Sequence, residues 1–410
     1  MYDLLKGLTV VEAAAFIAGP TSGLYLSQFG AEVIRIDQIG GGPDFRRWPL
    51  APNGASLYWE GLNKGKKSVV IDLARTEGRE LAQALATAPG ETRGLFVTNF
   101  PVEGFLSYER LKALRGDVVC VRVMGWADGR PALDYTINAA VGVPFTTGHP
   151  DDPRPVNHTF PAWDFITGAY AALSLVSAER GRRLTGQGCE VRIPLSDIAA
   201  TALANFGHLA EVLMTGEDRP RQGNDVYGAF GRDFEIKGGR RLMVVAITPR
   251  QWRAVTKTLE LEASVAALEA ELGASFAGHE AVRYQHRDRL YPLFEAAFAR
   301  RTEAELAPAF EAEGVCWSAY RTLAEASSDK ALFAGNPVFG RVAQPSGLDY
   351  PVPGPAATLI GPGHVHGRGP PVGAPTLGAN TDEVLAELLG MSSGEIGRLH
   401  DAGLVKGAGE

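Results

Sequence analysis

Cysteine is scarce in this chain of 410 residues. Its three cysteines, Cys120, Cys189 and Cys316, are far apart and lack the spacing of a disulfide framework or a metal site. We therefore expect reduced, buried thiols in a cytoplasmic protein. A metal is not expected either, because the His364-Val365-His366 pattern stands in a Gly/Pro-rich stretch without a further ligand at suitable spacing.

Long apolar runs and an excess of positive charge are also missing. No run reaches the roughly 20 apolar residues that a transmembrane helix needs, and residues 1–12 lack the basic start and apolar core of a signal peptide. The net charge of −7 argues against broad binding to nucleic acid or to an anionic membrane. Any phosphate site must therefore be a local cluster of Lys or Arg.

The GxGxxG turn of dinucleotide-binding proteins is absent as well, although the chain opens with a βαβ pattern. A strand is expected over Leu8–Ala14, a helix over Ser22–Phe29 with Pro20 as its entry signal, and a strand over Ala31–Asp37. Without the glycine turn, a nicotinamide-dependent oxidoreductase is only a weakly supported alternative.

Strands alternate with helices through the first half of the chain. Further strands are expected at Val69–Leu73, Gly94–Phe100, Val118–Met124 and Glu190–Pro194, and helices at Thr76–Thr87, Tyr108–Arg115, Phe165–Arg180 and Ser196–Met214. This alternation predicts an α/β fold with a parallel sheet covered on both faces. The long segment Gly125–His158 is expected to be a functional loop.

The middle of the chain predicts a second, smaller α+β domain, consistent with the two domains that the length suggests. It has a hairpin pattern over Asp233–Ala246 and helical patterns over Gln251–Leu272 and Arg283–Glu313. Near the C-terminus a last long helix is expected over Thr381–Leu389.

Asp164 is a single acid among apolar residues, where Pro161-Ala162-Trp163 leads into a helical pattern. Its local context favours a helix cap, since backbone N–H groups at a helix start attract an anion. A catalytic carboxylate is the alternative. His149 and His158 flank this segment, and either could act as a base, although an isolated His is more often structural.

Two basic stretches are candidates for anion binding. Lys64, Lys66 and Lys67 follow Asn63 in a Gly-containing turn before a strand, which suits a phosphate, although surface lysines are the commoner outcome. Arg47, beside Arg46 and Trp48, could hold a carboxylate through two parallel hydrogen bonds or could simply be solvated.

The order and spacing of these motifs resemble those of the class III CoA-transferases, the group of formyl-CoA and carnitinyl-CoA transferases. The similar stretches, which span essentially the whole chain, are Gly7–Val11, Ala18–Pro20, Gly30–Asp37, Asn63–Ser68, Asn99–Pro101, Asp164 with Thr167–Gly168, Pro375–Gly378, Thr381–Glu383 and Leu388–Gly390. The resemblance implies that Asp164 is a nucleophile. It also implies a Rossmann-like large domain built from 1–200 and 325–410, a small domain over 219–319, and an interlocked homodimer.

The resemblance further implies which residues bind the substrate, a CoA thioester, with no permanently bound cofactor. The implied CoA-binding residues are Phe16, Ile17, Ala18, Asn63, Lys64, Lys66, Lys67, Asn99 and Phe100. A closer similarity, carried by Arg47-Trp48-Pro49, Val156-Asn157-His158 and Arg219–Asn224, is to members that move CoA within one C5 dicarboxylic acid.

For such a reaction we expect Asp164, ionised at neutral pH, to attack the thioester without help from a base. Backbone N–H groups at Gly228 and Gly231 are candidate donors to the oxyanion. Arg47 is the first candidate to hold the free carboxylate and Arg232 the second, and Tyr135 is a further substrate contact. The apolar side chains of Trp163, Phe165, Tyr227 and Phe230 would exclude water.

Departures from the family leave alternatives open. Leu133 stands before Asp134 where the α-methylacyl-CoA racemases carry a His, which argues against two-base racemisation, and Ile17 stands where formyl-CoA transferases have a Gln. The alternatives are an intermolecular CoA-transferase between dicarboxylic acids, a racemase, and a non-catalytic CoA-binding protein in which Asp164 is only a cap.

Overall fold

The computed structural model describes residues 1–361 and 368–409, so His364-Val365-His366 lies outside the described part of the chain. The chain divides into two compact units. The first consists of Met1–Val141, His158–Glu211 and Asp329–Glu410, and the second of Gly142–Asn157 and Val212–Ser328. Residues 142–157, which we had assigned to the large domain, thus belong to the second unit.

Twelve strands are assigned in the described residues. In chain order they are β1 (Thr9–Ala13), β2 (Glu32–Gln38), β3 (Lys67–Ile71), β4 (Leu95–Thr98), β5 (Val119–Met124), β6 (Cys189–Pro194), β7 (Phe230–Glu235), β8 (Arg241–Ala246), β9 (Cys316–Ala319), β10 (Phe339–Ala343), β11 (Asp349–Pro353) and β12 (Val405–Lys406).

Seventeen α-helices and one π-helix accompany them in the described residues. They are α1 (Ala18–Gln28), α2 (Leu57–Leu62), α3 (Thr76–Ala86), α4 (Tyr108–Leu114), α5 (Asp134–Ala140), α6 (Val143–Thr146), α7 (Ala162–Thr185), α8 (Leu195–Asn205), α9 (His208–Thr215), α10 (Pro249–Thr258), α11 (Glu262–Leu272), α12 (Glu280–Gln285), α13 (Arg287–Phe298), α14 (Glu303–Glu313), α15 (Leu323–Ser327), the π-helix Lys330–Ala334, α16 (Thr381–Leu389) and α17 (Ser393–Asp401).

The first unit is built on a seven-stranded sheet in the order β12-β3-β2-β1-β4-β5-β6. The pairs from β3 to β6 are parallel, and only β12 is antiparallel to its neighbour. Strands β1, β4 and β5 are buried along nearly their whole length, as their apolar residues, mostly Val with Leu and Phe, require. The predicted α/β class with a parallel sheet is confirmed.

The strand order reverses between β1 and β4, so the chain leaves these two neighbouring strands in opposite directions along the sheet. In open α/β sheets a crevice forms at the carboxyl ends of the strands at this point, and ligands bind there. The crevice is bounded by the residues after Ala13 on β1 and after Thr98 on β4.

The second unit has an antiparallel sheet in the order β7-β8-β9. Its core is aromatic, with Phe230, Phe234, Phe294 and Phe298 all inaccessible to solvent. Arg221 attaches residues 142–157 to this unit, because its guanidinium donates to the carbonyl oxygens of Phe145 at 2.9 Å and Arg154 at 2.6 Å.

Several predicted helices differ from the observed ones. Helix α1 begins at Ala18 rather than Ser22, so Pro20 lies in its first turn, where a missing N–H costs no helical bond. The long helix predicted over Ser196–Met214 is broken at Gly207, whose φ of +87° is left-handed. The expected loop Gly125–His158 contains α5 and α6.

The two long helices predicted in the second unit are also divided. Glu260, with a φ of 57°, separates α10 from α11, and the Arg283–Glu313 pattern contains the second half of α12 and all of α13 and α14. Hydrophobic periodicity continues across such breaks because each short helix buries the same side, so periodicity alone does not reveal them.

Among the described residues, no single helix has the length and apolarity to span a membrane. Helices α8 and α9, bent by 65°, meet that criterion only as a pair, and only by length and composition.

Candidate active site

A cavity of about 1020 Å³ lies in the first unit, at the carboxyl edge of the parallel sheet. Its walls are the segments that follow β1, β4 and β5, joined by residues of α5, α7 and α8. The lining residues are Ala15–Ala18, Asn99–Glu103, Val123–Leu133, Thr136, Asp164, Arg192 and Leu195. Six predicted site residues therefore share one cavity: Asp164, Phe16, Ile17, Ala18, Asn99 and Phe100.

Asn99 fixes the two strand ends that form the cavity floor. Its side chain accepts a hydrogen bond from Ala15 N at 3.2 Å and donates one to Ala15 O at 2.9 Å. Next to this bridge, Phe16 has a φ of 70°, a left-handed conformation that is rare for an aromatic residue. Such strain persists only where the surroundings enforce it, and it concentrates at functional sites.

Asp164 is the third residue of α7. The residue before the helix, Pro161, provides no side-chain cap, and Asp164 does not take that position. Instead Asp164 N donates to Asp134 Oδ2 at 3.1 Å, so it is Asp134 that satisfies a free N–H of the first turn. The helix-cap interpretation of Asp164 is therefore wrong.

The electrostatic environment of Asp164 favours its neutral form. Burial raises the pKa of Asp164 from 3.8 to about 7, the charge of Asp134 adds to the rise, and the Arg47 guanidinium opposes it. This environment goes against our expectation that Asp164 is fully ionised at neutral pH.

Arg47 contributes a positive charge to this site. Its guanidinium carbon lies 5.8 Å from the Phe16 ring and 5.4 Å from the Tyr58 ring, within the range of cation–π attraction. The Tyr58 hydroxyl is buried and has no hydrogen-bond partner among the described residues. Arg47 and Tyr58 thus offer donors that a ligand could use.

Arg35 holds the loop that carries Arg47 in place. This buried guanidinium donates to Asp37 at 2.7 Å and to both oxygens of Asp44 at 3.0 Å. The Asp44 backbone carbonyl in turn accepts from Arg47 N at 3.2 Å. The position of Arg47 is therefore set by a buried ion-pair network.

That network also uses the lysines that we predicted to bind phosphate. Lys66 Nζ lies 2.9 Å from Glu12 Oε2, 2.8 Å from Pro20 O and 2.9 Å from Asn63 Oδ1, which occupies its three protons. Lys67 pairs with Glu32 and Glu383, and Lys64 donates to Gly61 O. None of the four residues of this turn lines the cavity, so their contacts go against the predicted phosphate site.

Two further predicted contacts are engaged elsewhere. Tyr135 donates to Thr159 O at 3.3 Å. Arg232, in the second unit, lies 3.4 Å from Asp225 and 3.2 Å from Glu295, with its guanidinium over the Tyr291 ring. Because both acids already compensate its charge, Arg232 is a weaker carboxylate ligand than Arg47.

Gly228 and Gly231 also belong to the second unit, and their proposed role as oxyanion donors stays a prediction. Gly228 has a φ of +76°, and no heavy atom lies within 4 Å of where its Cβ would be. Phe230 between them is fully buried in that unit's own aromatic core. Its side chain therefore serves packing, contrary to the expectation that it shields the reaction from water.

Sequence reasoning missed four residues at this site. Arg130 and Arg192 line the cavity, Tyr58 faces Arg47, and Asp134 contacts Asp164. A Gly-rich segment carrying Arg130 after β5 was a usable signal, since ligand-binding loops follow strand ends in this fold. Cys316 also differs from expectation because it is exposed.

Metal ligation has no geometric basis in the described residues, where no group of three or more His, Cys, Asp or Glu side chains is placed to hold an ion.

Comparison with known proteins agrees with this architecture. The chain is 47% identical over 410 residues, 99% of both chains, to 2-methylfumaryl-CoA isomerase of Chloroflexus aurantiacus. It is 28% identical over 404 residues, 96% of both chains, to succinyl-CoA–D-citramalate CoA-transferase of the same organism. The crystal structure of a CAIB/BAIF family protein from Brucella suis has the same fold, with a TM-score of 0.75 at 23% identity, over 94% of this chain and 99% of the other.

A family model fixes the assignment. The model described as CoA-transferase family III matches residues 5–381, which include all of the second unit, most of the first and every residue of the cavity. This match excludes the alternative of a nicotinamide-dependent oxidoreductase. The chain belongs to CoA-transferase family III.

Proposed function

We propose that the protein moves CoA within one molecule, converting mesaconyl-C1-CoA (2-methylfumaryl-CoA) into mesaconyl-C4-CoA (3-methylfumaryl-CoA). The observation that carries this function is the 47% identity to 2-methylfumaryl-CoA isomerase over 99% of both chains. A cavity with a buried carboxyl group and an adjacent cation supports it, because the substrate offers a thioester to attack and a free carboxylate to hold.

In the first half-reaction, ionised Asp164 attacks the C1 thioester carbonyl and CoA leaves as the thiolate. This forms a mixed anhydride between Asp164 and mesaconate. The thiolate then attacks the aspartyl carbonyl, which gives an Asp164–CoA thioester and releases the C1 carboxylate of mesaconate.

In the second half-reaction, the C4 carboxylate of the same mesaconate attacks the Asp164–CoA thioester and the thiolate leaves again. The thiolate then attacks the C4 carbonyl of the new anhydride, which yields mesaconyl-C4-CoA and regenerates Asp164. Each addition places negative charge on a carbonyl oxygen, and we propose that backbone N–H groups at Gly228 and Gly231 stabilise it.

Burial of Asp164 serves this chemistry in two ways. A poorly hydrated carboxylate is the stronger nucleophile, and an anhydride survives only where water is excluded. Trp163 is buried beside Asp164, whereas Phe160, whose ring stacks on Phe165 at a centroid distance of 4.8 Å, is 60% exposed. We propose that Trp163 keeps the anhydride dry.

Arg47 is the proposed partner of the spectator carboxylate. It makes no ion pair among the described residues, its guanidinium is fixed between two rings, and its charge reaches Asp164. A bidentate pair with the carboxylate would place mesaconate beside the nucleophile.

For the CoA moiety we propose a path along the cavity wall. Phe16, Ile17, Ala18, Asn99 and Phe100 would contact the pantetheine arm. Arg130 and Arg192 would take the phosphates in place of the lysine turn, since both line the cavity and their side chains are 67% and 46% exposed. Arg130 pairs with Asp128 on the surface, and Arg192 pairs with Glu190, a largely buried acid that also binds Arg122.

A homodimer also remains a proposal, implied by the family resemblance. The first unit exposes large apolar side chains on neighbouring helices, with Leu173 62%, Phe206 75% and Leu209 55% accessible. We propose that these side chains are covered in the dimer. Light scattering coupled to gel filtration should give twice the chain mass of 43.7 kDa.

The function is tested by turnover with covalent trapping. Purified protein is incubated with mesaconyl-C1-CoA, the C4 isomer is followed by chromatography, and hydroxylamine is added during turnover. We expect isomerisation and a hydroxamate at Asp164 by peptide mass spectrometry, absent without substrate. Absence of isomerisation would reject the function, and turnover without modification of Asp164 would reject the covalent route.

An intermolecular CoA-transferase is the second candidate. Its support is the 28% identity to succinyl-CoA–D-citramalate CoA-transferase over 96% of both chains. The same covalent Asp164 would serve it, but a second carboxylic acid would have to enter the cavity between the half-reactions.

A further inference from the structure

Helix α5 holds the first turn of α7 through two buried side chains. Asp134 Oδ2 accepts from Asp164 N at 3.1 Å, and Asn138 Oδ1 accepts from Trp163 Nε1 at 3.0 Å. Asp134 is 1% exposed and Asn138 is fully buried. Water therefore does not compete for these bonds, and the turn that carries Asp164 is fixed relative to α5.

The second oxygen of Asp134 contacts an imidazole. His158 Nε2 lies within hydrogen-bond distance of Asp134 Oδ1, and because an ionised carboxylate can only accept, Nε2 must carry the proton. The His158 ring packs against Tyr135 and Trp163 at centroid distances of 5.9 and 6.4 Å. A buried carboxylate needs such a partner, since an uncompensated one is strongly destabilising.

The arrangement forms a chain of contacts from His158 through Asp134 to the backbone of Asp164. The imidazole that contacts Asp134 belongs to His158, 24 positions later in the sequence, and not to the residue just before Asp134, which is Leu133 and is 53% exposed. His158 therefore contacts Asp134, and among the described residues it does not itself line the cavity.

We propose that Asp134 and His158 are positioning residues for Asp164, in which Asp134 fixes the reactive turn and His158 compensates the charge that Asp134 places beside the nucleophile. This inference rests on the proposed function, since it assumes that Asp164 must be ionised to react.

Charged groups near Asp164 influence its pKa. Asp134 raises the pKa of Asp164 and Arg47 lowers it. Tyr58 lies beside Arg47, and the cavity wall adds Glu103, Asp128, Arg130 and Arg192. Of these groups, only Asp134 is bonded both to the Asp164 backbone and to a second titratable side chain, so a change in His158 reaches Asp164 through Asp134.

The decisive experiment is the pH dependence of kcat/KM in Asp134→Asn and His158→Gln. Asparagine keeps an acceptor for Asp164 N but removes the charge, so the acid limb should move down by about 0.5 to 1 pH unit. Glutamine replaces the imidazole with a weaker amide donor and so compensates less of the Asp134 charge, which should move the limb up. Asp134→Ala, which loses the acceptor, should lower kcat at least tenfold with a smaller change in KM.

A surface pair provides the matched control. His400 Nε2 lies 2.7 Å from Asp382 Oδ1 on α16 and α17, away from the cavity. Asp382→Asn and His400→Gln should leave the acid limb in place. Thermal melts of all variants identify any that fail to fold, and if Asp134→Ala is one, the two conservative variants carry the test.

Acid limbs that stay at the wild-type position, or that move in the same direction in both conservative variants, would overturn the proposal. The carboxyl titration of Asp164, read by infrared difference spectra against Asp164→Asn, gives the same midpoint without turnover. Absence of wild-type turnover would therefore reject the proposed function alone, whereas an infrared midpoint unmoved in both conservative variants would reject the positioning pair.

Discussion

Asp164 must act as an anion, but its surroundings favour the protonated form of its carboxyl group. Burial and Asp134 together outweigh the Arg47 guanidinium, and the pKa is raised from 3.8 to about 7. Between these two pKa values the folded state binds a proton that the unfolded state has lost. The stability of the protein therefore falls as the pH rises from 3.8 to about 7. Reactivity and stability are thus opposed at this residue.

The first prediction follows from that opposition. Asp164→Asn should abolish turnover and yet be more stable than wild type at pH 8, by up to about 4 kcal/mol, since one pKa unit corresponds to about 1.4 kcal/mol. Near pH 4 the difference should vanish because Asp164 is then protonated in the folded wild type. Urea unfolding at both pH values measures this, and equal stability at pH 8 would contradict it.

Arg47 allows a second prediction with a neighbouring control. Arg47→Ala should lower kcat/KM by about 10- to 100-fold, because a hydrogen bond to a charged group contributes roughly 1.5–3 kcal/mol. It should also move the acid limb upward, since Arg47 lowers the pKa of Asp164. Arg46→Ala should resemble wild type, as Arg46 lines a separate, smaller cavity. Equal losses in both variants would reject the assignment.

At this scale the sequence predicted several residues that share the cavity. Asp164, Asn99 and Phe16 share the cavity as the family pattern implies. Lys66 could not be foreseen as structural, because its partner Glu12 lies 54 residues earlier and only the folded sheet brings them together. Likewise His158 and Asp134 meet only in the folded structure.

At the scale of elements, the nucleophile depends on how closely α7 packs against α1. A Cβ on Gly168 would lie 2.7 Å from Thr21 Cβ and 2.8 Å from Ala18 O, so only glycine allows this approach. Ala18 lines the cavity, and Asp164 lies one helical turn before Gly168. The contact therefore sets the spacing between the nucleophile and the wall opposite it.

The third prediction compares two glycines of that helix. Gly168→Ala should destabilise the protein by about 1–3 kcal/mol through overpacking and should lower kcat. Gly181→Ala meets nothing within 4 Å and should stabilise it by up to about 1 kcal/mol, because alanine is the better helix former. Thermal melts and kcat of both variants are the measurement, and similar effects in the two would refute the packing argument.

Elements were predicted well where one chemical signal dominated. The helix Thr381–Leu389 has the predicted bounds, and the buried strands agree within a few residues. Two of the long predicted helices are broken at single left-handed residues, Gly207 and Glu260, and glutamate carries no sequence signal for that conformation.

At the scale of the whole molecule, we propose that the two ends of the substrate contact different cations. The fourth prediction tests which cations hold the CoA phosphates. Arg130→Ala and Arg192→Ala should each raise KM for mesaconyl-CoA several-fold, and less so at high salt. The KM for the pantetheine ester of mesaconate, which lacks the ADP phosphates, should be the same in both variants as in wild type. A similar loss with both esters would contradict phosphate binding.

The domain organisation shows a further limit of sequence reasoning. The discontinuous large domain follows from family resemblance, yet residues 142–157 belong to the second unit because Arg221, far along the chain, binds their carbonyl groups. A segment that is attached through residues about 70 positions away, such as Arg221 and Gly223, gives no local signal of the unit to which it belongs.

The central claim is that mesaconate stays bound while CoA moves from C1 to C4. It is tested most directly by incubating the protein with unlabelled mesaconyl-C1-CoA and an excess of ¹³C-labelled free mesaconate. Intramolecular transfer predicts that mesaconyl-C4-CoA forms without label at every time point before equilibrium. Label entering the C4 ester as fast as the ester forms would contradict the account and assign the protein to intermolecular CoA transfer.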